Sequence, residues 1–70
     1  MTRKEMLKWV YENCRTEEDA IYHKILRDKI GEQNFKELNL MQFLKRTYHN
    51  TEAYLYLSWL GRMYCEELLN

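Results

Sequence analysis

Four side chains in this sequence have the chemistry to bind a metal ion: Cys14, Cys65, His23 and His49. Two thiolates and two imidazoles are enough ligands for a tetrahedral zinc site. The four residues are scattered along the chain, however, and lack the short paired spacing of zinc modules. We therefore predict no bound metal, and no other motif in the sequence indicates a cofactor.

Nucleophilic catalysis would need a thiol or hydroxyl beside a base, at the edge of a substrate pocket. Cys65 with either histidine is the pairing that the sequence offers. A domain of 70 residues has little spare volume for a substrate cleft of the usual size. We therefore predict that the protein is not an enzyme, and that Cys14 and Cys65 are reduced thiols buried as small apolar side chains.

Basic side chains offer a third chemistry, the binding of nucleic acid. Lys+Arg and Asp+Glu both number 11, whereas nucleic-acid-binding domains normally carry a basic excess. The helix expected from Leu40 also opens with apolar residues, which are poorly suited to reading base edges. DNA binding or transcription modulation is therefore the alternative function, through a basic face on the second and third predicted helices. The residues of that face are Lys24, Arg27, Lys36, Lys45 and Arg46.

Residues 51–70, TEAYLYLSWLGRMYCEELLN, predict one long helix that is apolar on nearly every side. At the helical period they form two apolar stripes. Such a helix is normally central in a bundle. Either the other helices bury both stripes, or the second stripe is left over for an interface. The first stripe is Ala53, Leu57, Leu60, Tyr64 and Leu68, and the second is Leu55, Trp59 and Met63 with Tyr56 beside it.

An exposed second stripe supports the leading hypothesis, which is a small protein-interaction module that occupies a partner protein's surface. An inhibitor or adaptor of this kind could be encoded by a phage or a bacterium. Aromatic anchors with a polar rim are the usual distribution of interface energy. The same stripe could instead pair with its own copy and give a homodimer. The predicted contact residues are Leu55, Tyr56, Trp59 and Met63, with Arg62 and Glu66 at the rim.

The composition fits a single small domain covering residues 1–70. Apolar residues make up 46% of the chain and aromatic residues 14%, which can fill a small core or supply an interface. A chain of this length is near the lower limit for a core that is stable alone. The N-terminus does not read as a signal peptide, and no apolar run is long enough to span a bilayer. We expect a cytoplasmic protein without a membrane contact.

Start and stop signals define the elements that position these residues. Thr2 and Glu5 form a capping box, which predicts a helix that runs to about Asn13. Thr16 precedes three acidic residues and an apolar arc, and Gly31 follows that arc. These signals predict a second helix over residues 17–30.

The second half of the chain reads as further helices. We predict a short helical turn over residues 33–37, a third helix from Leu40 to about His49, and the long last helix. Asn50 or Thr51 would cap that last helix. Gly61 would either mark a tight crossing with another helix or be a tolerated defect of the helix. The predicted fold class is all-α: a compact bundle of four helices, with a short helical turn between helices two and three and a central C-terminal helix.

Overall fold

The first helix begins as the sequence predicts. In the computed structural model, which describes residues 1–69, helix α1 spans Arg3–Asn13. The Thr2 hydroxyl oxygen accepts a hydrogen bond from the Glu5 backbone N–H at 3.1 Å, and the Glu5 carboxylate accepts one from the Thr2 N–H at 2.9 Å. The predicted capping box is therefore confirmed. These hydrogen bonds lower the pKa of Glu5, because they favour its charged form.

The predicted second helix is divided into three pieces. A 3₁₀ turn at Glu17–Asp19 and a two-residue strand, β1 (Ile21–Tyr22), precede helix α2 (His23–Ile30). The strand was missed because Ile21 and Tyr22 pair with a segment far along the chain. The predicted end is confirmed: Gly31 adopts φ +90°, and its N–H donates to the Arg27 carbonyl at 2.9 Å.

Helix α3 follows directly and spans Glu32–Leu40, so the predicted turn at residues 33–37 lies inside a longer helix. The third predicted helix, from Leu40 to His49, is wrong. The chain turns at Gln42, where φ is +60°, and continues as strand β2 (Leu44–His49).

A β-hairpin replaces the end of that helix and the first half of the last one. Strand β3 (Glu52–Leu57) pairs antiparallel with β2, in a register that runs from Leu44 opposite Leu57 to His49 opposite Glu52. Asn50 and Thr51 join the strands with φ values of +52° and +67°. Two central residues with positive φ are the requirement of a type I′ hairpin turn.

The all-α prediction is therefore wrong, and the fold is α+β. Strand β3 lies between β1 and β2 in a three-stranded antiparallel sheet, so the central element is a strand and not the C-terminal helix. Alternate residues of a strand point to opposite faces. Leu55 and Leu57 are accordingly buried in the core among the helices, whereas Tyr54 and Tyr56 are half-buried on the outer face of the sheet.

The last helix, α4, spans Trp59–Leu69, which leaves only the second half of the predicted helix; Asn70 lies outside the described residues. Ser58 starts it: its hydroxyl oxygen accepts from the Gly61 N–H at 3.1 Å, and its carbonyl accepts from the Arg62 N–H at 2.9 Å. None of the helices within residues 1–69 has the length and apolar character needed to cross a membrane.

The hairpin turn gives a stability prediction. A β-branched residue is strained at positive φ, whereas Gly adopts this conformation readily. Thr51→Gly should therefore raise the free energy of unfolding by about 1 kcal/mol, and the melting temperature by roughly 4–8 °C.

Thr16→Gly is the matched control, because Thr16 has an extended backbone with φ −125°. There the added flexibility of Gly should destabilise the protein by about 0.5–1 kcal/mol. Equal destabilisation by both substitutions in thermal unfolding would show that the turn is not type I′.

Candidate interaction surface

Both thiols are buried in the core, and neither forms a disulfide. Cys14 ends α1, and Cys65 lies on the inner side of α4. Burial raises the pKa of the Cys14 thiol to about 12 and that of the Cys65 thiol to about 11, because the charged form is disfavoured away from water. A thiol with so high a pKa carries almost no thiolate near neutral pH, so neither is an effective nucleophile.

The two histidines lie close to Glu52: His49 is the last residue of β2 and pairs with Glu52, and His23 begins α2. His23 Nε2 is 3.9 Å from the Glu52 carboxylate, which also accepts a hydrogen bond from the Tyr22 hydroxyl at 2.9 Å. The His49 ring packs edge-on against Tyr54, with 5.0 Å between the ring centroids. Within residues 1–69, no three His, Cys, Asp or Glu side chains are grouped to hold a metal ion.

The predicted basic face is divided between different elements. Lys24 and Arg27 are exposed on α2, and Lys36 is exposed on α3. Lys45 and Arg46 are consecutive residues of β2 and therefore point to opposite faces of the sheet.

Arg27 also makes contacts within the fold. Its Nε lies 3.3 Å from the Glu32 carboxylate, and its guanidinium packs over the Phe35 ring at 4.6 Å from the centroid. The helix that was expected to carry Lys45 and Arg46 is absent, so the five basic residues do not share one helical face.

The predicted partner-contact residues separate into three environments. Leu55 is only 1% exposed, because β3 turns it into the core, and Tyr56 lies half-buried on the outer face of the sheet. Trp59 and Met63 are exposed on α4. The two rim residues, Arg62 and Glu66, also lie on α4, where Arg62 is half-buried and Glu66 is exposed.

The exposed side of α4 carries a contiguous apolar surface, which we call the α4 face. Residues four apart on a helix lie above one another. The face thus consists of a row that begins at Trp59 and a neighbouring row that begins at Leu60. Its members and their exposed fractions are Trp59 67%, Leu60 50%, Met63 41%, Tyr64 38% and Leu68 41%.

A shallow groove runs along this face. Phe43, from the turn before β2, forms part of its floor, and its ring lies 5.1 Å from that of Tyr64. Glu67 lines the groove at the C-terminal end. The face therefore combines a projecting aromatic side chain, Trp59, with an apolar depression beside it.

The opposite side of α4 holds the helix firmly against the core. The Cys65 thiol donates to the Leu7 carbonyl at 3.9 Å, and the Tyr11 hydroxyl donates to the Glu66 carboxylate at 3.0 Å. This hydrogen bond raises the pKa of Tyr11, because the neutral phenol is the donor. These contacts to α1 fix which side of α4 faces solvent.

Gly61 determines how closely α4 approaches the chain before β2. A Cβ atom at this position would lie 2.7 Å from the Phe43 carbonyl oxygen and 2.9 Å from the Phe43 Cβ. Gly61 therefore marks a close approach of another backbone, but the neighbour is the turn before β2 and not the helix that the sequence predicted.

The sequence did not predict three residues of the α4 face, because they belong to the first stripe. These residues are Leu60, Tyr64 and Leu68. The signal that could have found them is the N-cap at Ser58. A helix that begins there has Gly61 and Cys65 on its buried side, which turns both exposed rows away from the core.

Comparisons of the chain with protein-family models, with curated proteins and with solved structures gave no match. No relative therefore assigns a function to the α4 face.

The close approach at Gly61 predicts that replacing this Gly by Ala destabilises the protein, which is the opposite of the usual effect in a helix. Ala is favoured over Gly in a helix interior by about 1 kcal/mol. Here Gly61→Ala should instead destabilise the protein by about 2 kcal/mol, because the added methyl group overlaps the Phe43 backbone. Chemical denaturation would measure the change.

Gly31→Ala is the control for this substitution. No atom lies within 4 Å of an added Cβ at Gly31, so only the backbone conformation, φ +90° with ψ 154°, should penalise Ala there, by about 1–3 kcal/mol. A Gly61→Ala protein more stable than wild type would contradict the close packing of α4 on this segment.

Burial of the thiols predicts slow modification and a pH-dependent stability. The native protein should resist a thiol reagent near pH 8, and both cysteines should react once guanidinium unfolds the chain. Rapid reaction of native Cys65 would show that α4 is not docked as described.

The sign of the pH effect follows from the raised pKa values. The unfolded thiols titrate near the ordinary value of 9.0, and the folded ones titrate at about 11 and about 12. This contribution to stability is complete below pH 9 and is lost as the pH rises from there through the folded values. Cys14→Ala should weaken that dependence in denaturation measured across this range.

Proposed function

We propose that this protein is a small non-enzymatic interaction module that binds a partner protein through the α4 face, as an inhibitor or adaptor. The observation that carries the proposal is the exposure of five large apolar side chains on one side of one helix. Together they form a contiguous exposed apolar patch, and such a patch on a small monomer is often functional.

The residue types of the face support protein binding. Trp, Tyr and Met are enriched at protein interfaces, and Trp and Tyr are frequent hot-spot residues. Trp59 is the most exposed of the five and stands at the helix start, beside the groove. It is therefore the expected anchor.

Rigidity of the helix also supports this function. α4 is capped by Ser58 and held to α1 by Cys65 and Glu66, so little conformational entropy is lost when a partner covers its outer side.

The cytoplasm is the compartment that we propose, since two free thiols in a small domain are typical of a reducing environment. The alternative function, nucleic-acid binding, has weaker support, because Lys45 and Arg46 diverge and Arg27 is paired with Glu32.

The test is quantitative affinity capture from the native source with the wild type and a Trp59→Ala, Met63→Ala double variant. The variant should capture at least tenfold less of the protein that the wild type binds specifically. This decrease corresponds to a loss of about 1.4 kcal/mol in binding free energy. Its melting temperature should stay close to that of the wild type, because both side chains are exposed.

Two controls separate this surface from others. Ile25→Ala removes an apolar side chain that is 59% exposed on α2 and should leave capture unchanged. Lys45→Glu with Arg46→Glu should also leave it unchanged. Equal capture by the wild type and the α4 double variant would refute the proposed function, and loss of capture only in the β2 variant would favour the basic residues.

A further inference from the structure

Glu67 is distinctive because it places a negative charge among the apolar residues of the α4 face. It lies one helical turn beyond Met63 in the same row and lines the groove. The two ion pairs found within residues 1–69 do not involve it. The Glu67 side chain is exposed and therefore hydrated in the isolated protein, and this water is removed when a partner covers the groove.

Glu66 provides the contrast. It accepts a hydrogen bond from the Tyr11 hydroxyl at 3.0 Å and lies on the side of α4 that is closer to α1. Covering the groove leaves that contact in place. Of the two adjacent acidic residues, Glu67 is the one whose surroundings change on docking.

A partner must replace the water around Glu67 with a positive charge. An unpaired carboxylate that loses its water is penalised more heavily than a neighbouring apolar contact can repay. Arg suits this position better than Lys, because its planar guanidinium binds a carboxylate through two hydrogen bonds and loses its hydration more easily.

A second copy of this chain cannot supply that charge from the same surface. In a two-fold contact both partners present the same patch. The exposed residues of α4 include no Lys or Arg, and Arg62 is half-buried on the flank of the helix that points away from Glu67. A facing helix N-terminus would offer only a partial charge. Self-docking would thus remove water from two copies of Glu67 without providing a cation for either.

We infer that the α4 face receives an apolar surface of a different protein that carries an Arg or Lys opposite Glu67, and that the Glu67 carboxylate keeps a second copy of this chain away. This inference rests on the proposed function and names the chemistry of the partner. Apolar contact supplies the affinity, and Glu67 selects which apolar surfaces are accepted.

Sedimentation velocity tests the exclusion of a second copy. The wild type should remain monomeric, whereas Glu67→Leu should self-associate at least about tenfold more tightly, because the carboxylate no longer opposes contact between two α4 faces. Glu12→Leu is the matched control, since it makes the same replacement at an exposed position of α1 outside the groove, and it should stay monomeric. A wild-type dimer that Trp59→Ala dissociates would overturn the inference.

Two synthetic peptides test the required charge. Each is an amphipathic helix of about 18 residues with a Leu stripe, and the two differ only in having Arg or Glu at the centre of that stripe. The wild type should bind the Arg peptide about tenfold more tightly than the Glu peptide, as measured by Trp fluorescence or NMR titration. Glu67→Lys should reverse this order, and Glu67→Gln should remove the preference.

The outcomes distinguish the inference from the proposed function. If both peptides bind equally and Trp59→Ala abolishes their binding, the face binds protein but Glu67 does not select its partner, and the inference fails. If Trp59→Ala changes neither peptide binding nor capture from the native source, the proposed function itself fails. Reversal of the peptide preference by Glu67→Lys supports both.

Discussion

The backbone pairing of β3 is the interaction on which the rest of the structure depends. β3 is hydrogen-bonded on both edges, to β1 from the first half of the chain and to β2 through the hairpin. That pairing turns Leu55 and Leu57 inward and brings Ser58 against the preceding turn, where its N–H donates to the Phe43 carbonyl at 2.7 Å. Ser58 then starts α4 in a direction that packs Gly61 inward and leaves Trp59 outside.

The helix boundaries that depend on residues close together in the sequence were predicted correctly. The Thr2–Glu5 capping box and the helix end at Gly31 depend on residues a few positions apart, and both were readable from the sequence. The strands were not, because they depend on partners distant in sequence. Between Tyr54 and Leu57 nearly every residue is apolar, so the helical and strand periods fit equally well. The turn residues Asn50 and Thr51 also lack the Gly that usually marks a type I′ hairpin.

The candidate site was partly predictable for the same reason. The expectation that this short chain carries more apolar surface near its C-terminus than it can cover agrees with the exposure of Trp59 and Met63. Leu55 was grouped with them only because a continuous helix was assumed, and β3 places it in the core instead. Leu60 and Tyr64 were assigned to the core by the same assumption. The change of period at Ser58 therefore placed Leu55 in the core and left Leu60 and Tyr64 exposed beside Trp59 and Met63.

The free edge of β2 and the α4 face are both open to association, and they differ in the charged residues that they carry. The free edge of β2 carries Lys45 and Arg46, and Arg46 points to the same side of the sheet as the buried Leu55 opposite it. A charge that points inward on an edge strand discourages pairing with another strand. The α4 face has no such residue except Glu67, which lies at one end and leaves Trp59 and its neighbours uncovered. The contrast between the two surfaces therefore favours α4 as the surface that is kept for binding.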